Sequence, residues 1–303
     1  MPHPVQVAVV QFEPTKGDYE GTLERLEQTF ESVMSQSPRP DVLSFPETAL
    51  TGYFLEGGVR DVVRTADQVA HDLDRAYRAR CTGEVDIVLG FYEVHENTFY
   101  NAALYATIGG DAPIVVHVHR KMFLPTYGLF DEERFVEHGL ALEAFDTRWG
   151  RAAMLVCEDA WHALTTAAVA LDGAQIVFVP SASPARGAWP QPDELVRGPA
   201  SIHRWEHIAR DRADEHGIYF IITQLIGSEG GKIFPGGSVV AGPSGDVRVR
   251  APLWEAACVN VTLDLDDLTR ARASSPLLAD LRIMLPHLMR ALGDAARRGG
   301  MTT

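Results

Sequence analysis

Two kinds of apolar pattern alternate along the chain. Short runs rich in Val, Ile, Leu and Phe occupy 5–11, 41–45, 85–93, 99–107, 113–119, 151–157, 175–180, 218–224, 237–241 and 257–263, and each reads as a buried strand. Between several of them, near 22–36, 59–80, 162–172 and 196–216, apolar residues return every three or four positions. In the first of these, Leu23, Leu26, Phe30 and Val33 make one face of a helix. Strands alternating with helices predict a layered α/β fold. No Gly/Ser-rich linker, low-complexity tract or shift of composition divides residues 1–275, which are expected to form one domain. In 276–303, Leu277, Leu281, Met284, Leu285, Leu288 and Leu292 form an apolar stripe in which Pro286 should cause a kink or break. This segment reads as an arm, packed on its own domain or across a subunit interface.

Three of the strand-like runs end in a side chain with chemistry. Asp41 to Pro46 delivers Glu47, Ile114 to Arg120 delivers Lys121, and Ala152 to Val156 delivers Cys157. All three stand where buried backbone gives way to loop, the place at which a sheet presents side chains to a substrate. With 303 residues, 46% of them apolar, the chain can bury a large core without a metal or disulfide staple. The net charge of −14 disfavours a nucleic-acid partner. Cys81, Cys157 and Cys258 are odd in number and far apart, as in a reducing compartment, with Cys81 and Cys258 read as inert. The opening Met-Pro-His-Pro leads straight into a strand, and no run approaches the ~18 apolar residues of a membrane span. A cytoplasmic location without membrane attachment is the expectation.

The segments FPETALTGY (45–53), HRKMFLPTYGLFDEERF (119–135) and LVCEDAW (155–161) together resemble the nitrilase, or carbon-nitrogen hydrolase, superfamily. That resemblance implies a four-layer αββα sandwich, a homodimer, no cofactor or metal, and a catalytic triad of Glu47, Lys121 and Cys157. It also implies a second active-site glutamate after the lysine, Glu132 by the best match and Glu133 in the alternative register. Amide hydrolysis needs a nucleophile, a base that later returns its proton to the departing nitrogen, and positive charge at the developing oxyanion. Cys157, Glu47 and Lys121 supply these in turn. An ordinary thiol has a pKa of about 8.5, and Lys121 is expected to help Cys157 ionise.

Within the superfamily, the run Leu124 to Glu132, the Cys157-Glu158-Asp159-x-Trp161 pattern, Ser181 to Pro184 and Phe234 to Ser238 look most like the glutaminase domain of glutamine-dependent NAD synthetases. By that likeness Tyr127, Glu158 and Ser183 are candidates to hold the α-amino and α-carboxyl groups of glutamine. True nitrilases usually carry Trp-Glu after the cysteine, which weakens a nitrile substrate. No Ser-Gly-Gly-x-Asp-Ser pyrophosphate loop occurs, and too little chain follows residue 265 for an ATP-binding domain. Two readings follow: a separate glutaminase subunit serving an ammonia-accepting synthetase, or a free-standing amidase or N-carbamoyl hydrolase for another small amide.

Rival classes rest on thinner patterns. His117 with His119 and His203 with His207 have spacings that could pair on one metal, but no further ligands gather around either pair in sequence. A non-catalytic assembly partner is the other class. The Gly-rich stretch 227–232 leads into no helix, so it reads as a mobile lid near the pocket mouth rather than a phosphate cradle.

Overall fold

In the computed structural model, residues 4–187 and 198–300 are described. The first residues of the helix expected at 196–216, the opening Met-Pro-His and the last three residues of the 276–303 arm lie outside them. The strands are β1 (Val5–Gln11), β2 (Val42–Ser44), β3 (Val85–His95), β4 (Thr98–Ile108), β5 (Ile114–Arg120), β6 (Ala144–Thr147), β7 (Gly150–Met154), β8 (Ile176–Ser181), β9 (Tyr219–Gln224), β10 (Ile226–Glu229), β11 (Lys232–Pro235), β12 (Val239–Ala241), β13 (Val247–Arg250) and β14 (Ala257–Leu263). The helices are α1 (Tyr19–Met34), α2 (Val59–Val62), α3 (Ala66–Arg78), α4 (Ala163–Leu171), α5 (Ala200–His216), α6 (Asp266–Ser274) and α7 (Leu277–Arg298).

Two six-stranded sheets form, in the orders β14-β1-β2-β3-β4-β5 and β13-β12-β9-β8-β7-β6. Alternation along each strand decides the layers, because successive side chains point to opposite faces. On β1, Val5, Val7 and Val9 point to the second sheet, where they join Met154, Ile176, Phe178, Tyr219 and Ile221 in a core between the sheets. Ala8 and Val10 point the other way, into a core made with Leu26 and Phe30 of α1 and Leu73 and Tyr77 of α3. On the second sheet, Ala153, Val177, Val179, Phe220 and Ile222 meet Val169 of α4 and Trp205, Ile208 and Ala209 of α5. Strands apolar on both faces therefore build the αββα sandwich.

Several elements depart from the sequence expectation. The helix expected over 59–80 is split into α2 and α3, because Thr65 is extended and caps α3: its Oγ1 accepts the Gln68 N–H while Gln68 Oε1 accepts the Thr65 N–H. The strand expected to run to Cys157 ends at Met154. Pro286 neither breaks nor ends α7, which is assigned helical throughout its 22 residues. The arm lies against α5 and α4, with Leu278 buried and Ile283, Met284, Leu288, Met289 and Leu292 exposed. The Gly-rich stretch, expected as a loop, forms an antiparallel hairpin, β10–β11. Its Glu229 carboxyl accepts the N–H groups of Tyr53 (2.9 Å) and Phe54 (2.8 Å) and so ties the hairpin to the loop after Glu47. Among the described residues, no helix is long and apolar enough to cross a membrane.

Candidate active site

β2, β5, β7 and β8 all release chain toward one edge of the sandwich, where the ends of strands offer loops to a ligand. After β2 the chain turns tightly through Pro46, Glu47 and Thr48, the last at φ +49°, and lies directly on β3 at Gly90. Gly90 N donates to Pro46 O (3.0 Å) and Gly90 O accepts from Ala49 N (2.9 Å). A Cβ at Gly90 would meet Glu47 Cα at 2.4 Å, so only glycine admits this approach. The wholly buried Glu47 carboxyl is then fixed on both oxygens. Oε1 accepts from Lys121 Nζ (2.8 Å) and Asn101 Nδ2 (2.8 Å), and Oε2 accepts from Ala182 N (2.8 Å), just past β8 in the other sheet.

Lys121 follows β5 and is fully buried. Its Nζ also donates to Glu132 Oε1 (2.7 Å), which accepts a second hydrogen bond from the Tyr53 hydroxyl. Burial alone would lower the lysine pKa, but Glu132 and Glu47 more than offset it and hold the ammonium charged, well above its ordinary value. Burial pushes the Glu132 carboxyl up to about 7, against the pull of Lys121 and with the push of Glu47. Two buried carboxyls thus share one cation. Glu133, the alternative register, is exposed and faces His138 at 3.5 Å.

Cys157 opens a 3-10 turn, Cys157–Trp161, at φ +45°, a left-handed conformation that costs a non-glycine residue energy. Burial first, then the Glu47 charge, push its thiol well above the ordinary value, while Lys121 and the Ala182 N–H pull the other way. The resting sulfur is therefore a thiol. Lys121 favours ionisation, as expected, but burial and the Glu47 charge outweigh it, and the lysine charge is shared between two carboxyls. The turn is braced by Asp159, which is fully buried and whose Oδ2 accepts from Val156 N (3.0 Å) and His119 Nε2 (2.8 Å).

Cys157 lines a cleft of about 440 Å³ whose walls include Tyr53, Tyr127, Phe130, Glu158, Trp161, Ser183, Arg186 and Arg204. Tyr127, 47% exposed, donates its hydroxyl to Glu158 Oε1 (3.0 Å), so these two candidates meet. Ser183 is buried with its N–H on Gln224 Oε1 (3.3 Å). Arg186 lies over the rings of Tyr127 and Phe130, and Arg204 over Trp161. Sequence reasoning missed both arginines, together with Asn101, His119 and Asp159. Asp159 stood inside a motif that drew attention, and His119 headed another and was weighed only as half of a metal pair. His117 stacks on Phe145 (4.4 Å) and His119 is taken by Asp159, so this pair does not converge on a ligand. Cys81 and Cys258 are half-buried, and burial raises both thiols.

The profile of the carbon-nitrogen hydrolase family matches residues 6–273. A glutamine-dependent NAD(+) synthetase of Thermotoga maritima is 28% identical over 274 residues, covering 90% of this chain and 44% of the relative. The chain thus spans less than half the length of that relative. An (R)-stereoselective amidase of a Pseudomonas species is 30% identical over 286 residues and is covered, like this chain, to 93%. Among solved structures, a carbon-nitrogen hydrolase of Helicobacter pylori G27 superposes with a TM-score of 0.80 at 24% identity, covering 93% of this chain and 96% of its own.

Proposed function

From its membership of the carbon-nitrogen hydrolase family, to which the match over residues 6–273 assigns the chain, we propose a thiol-dependent amide hydrolase built on Cys157, Glu47 and Lys121. The observation that carries this reading is the buried cluster in which Lys121 Nζ bridges Glu47 (2.8 Å) and Glu132 (2.7 Å) beside the cysteine-lined cleft.

Because the resting group is a thiol, proton transfer accompanies attack. As Sγ bonds to the amide carbon, Glu47 takes its proton, and the carbonyl oxygen gathers negative charge beside Lys121 Nζ and the backbone N–H that follows the cysteine. Collapse of the tetrahedral adduct breaks the C–N bond, and Glu47 returns the proton to the departing nitrogen. Water then loses a proton to Glu47, attacks the thioester and releases the acid, and the sulfur leaves with that proton restored. Glu132 holds the lysine in place.

Glutamine is the substrate we favour, with ammonia passing to a synthetase. Its zwitterion needs an acceptor and donors, which Glu158 with Tyr127, Ser183 and the cleft arginines would supply. A second reading, a free-standing amidase or N-carbamoyl hydrolase, is supported by the amidase likeness over 93% of both chains. The exposed apolar side chains of α7 support a homodimer in which this arm is covered. Ammonia release from L-glutamine, L-asparagine, α-ketoglutaramate, an N-carbamoyl amino acid and a simple nitrile tests the proposal in wild type and Cys157→Ala. Release from glutamine alone, lost in the variant and unaffected by EDTA, is expected. Release from another amide alone supports the second reading, and turnover that survives Cys157→Ala or falls with EDTA refutes the thiol mechanism.

A further inference from the structure

Four donors converge on one carboxyl group that the reaction above does not use. Asp159 Oδ1 accepts the N–H groups of Met122 (3.0 Å) and Phe123 (2.9 Å), the two residues after Lys121. Oδ2 accepts the N–H of Val156 (3.0 Å), the residue before Cys157, and Nε2–H of His119 (2.8 Å), two residues before Lys121. Asp159 is 0% and His119 3% exposed, so water competes with none of these bonds. The lysine stands at the end of β5 in the first sheet, and the cysteine turn follows β7 in the second. Among the described residues, no backbone hydrogen bond joins the two segments. The Asp159 carboxyl supplies the hydrogen-bonded link nearest Lys121 and Cys157, beside the Phe123–His162 ring stack (3.7 Å) and the Tyr127–Glu158 pair farther along the same segments.

That placement matters because the turn is strained. Cys157 sits at φ +45°, and such a conformation persists only where its surroundings over-determine it. Resting on the reading of Cys157 as nucleophile, we propose that Asp159 and His119 are positioning residues that hold the cysteine turn at its working distance from Lys121 and Glu47. A carboxyl suits the task, since it accepts on both oxygens and donates on neither. Asparagine keeps an acceptor for Met122 and Phe123 but turns an NH2 toward the Val156 N–H and His119 Nε2–H, which loosens the cysteine turn and the imidazole while the Met122–Phe123 backbone stays held. At His119, glutamine keeps an N–H donor and leucine removes it.

The test is steady-state kinetics on the panel amide turned over fastest, with functional sites counted by alkylation of Cys157 and folding checked by circular dichroism. Asp159→Asn should lower kcat by about 10²-fold with KM little changed, the scale of a displaced reacting group. His119→Leu should lower it by about tenfold, and His119→Gln should restore most of the loss. A purely structural role would reduce the folded fraction and leave kcat per site unchanged. Wild-type kcat per site in His119→Leu, with or without a folded Asp159→Asn, overturns the proposal, as does a change confined to KM. Cys157→Ala serves as the control. If it is inactive while the positioning variants run at full speed, only this inference fails, whereas turnover in Cys157→Ala removes the reading beneath it.

Discussion

Replacing Lys121 by methionine removes the one cation between two buried carboxyls. Its Nζ lies 2.8 Å from Glu47 and 2.7 Å from Glu132, and all three side chains are buried. At an effective dielectric of about 20, each contact carries about 6 kcal/mol of attraction, much of it offset by desolvation of the ions. Deleting the cation leaves that desolvation uncompensated, and breaking a buried pair costs about 3–5 kcal/mol. At about 2–4 °C per kcal/mol for large domains, the midpoint should fall by about 6–20 °C. The loss should depend on pH. Burial already holds the Glu132 carboxyl above the unfolded value of about 4.3, and loss of the lysine raises it further, so the variant approaches wild type below about pH 5. It falls away as pH rises through the folded values. Glu132 is already raised to about 7 beside the lysine, so the gap should still widen above pH 7. Urea unfolding of wild type, Lys121→Met and Lys121→Met with Glu132→Gln at pH 5 to 8 measures this, and the double variant should recover part of the loss. A loss under about 1 kcal/mol, or one independent of pH, refutes the electrostatic account.

Two further outcomes follow from the same geometry. The ultraviolet thiolate band of Cys157, taken as wild type minus Cys157→Ala, should emerge only above the ordinary thiol value of about 8.5, since burial and Glu47 raise it; a band at neutral pH contradicts the resting thiol. Gly90→Ala would drive a Cβ to within 2.4 Å of Glu47 Cα. It should cost about 1–3 kcal/mol of stability and at least about 10²-fold in kcat, and an active, stable variant would show that Glu47 does not depend on that close approach.

What could be read from the chain follows from what is local. Glu47, Lys121 and Cys157 each close an apolar run, and strands buried on both faces leave a signal strong enough to place the layers. β6 and β13 gave none: the first is short, and the second, Val-Arg-Val-Arg, puts two arginines in four residues. Asn101, His119 and Asp159 acquire meaning only when two sheets bring their ends together, which no window of sequence contains. The choice of Glu132 over Glu133 likewise depends on which carboxyl a 3-10 turn aims at the lysine. Pro286 does not break α7, because its missing N–H leaves only the Arg282 carbonyl without a helical donor, and that turn of α7 is exposed to water.

The most direct measurement is acid-quenched intact-protein mass spectrometry during turnover of the amide that the panel selects. The account predicts an added mass equal to the substrate acyl group, located on the peptide containing Cys157 and absent in Cys157→Ala. Rapid turnover with no adduct in pre-steady-state samples, or an adduct on another residue, would contradict it.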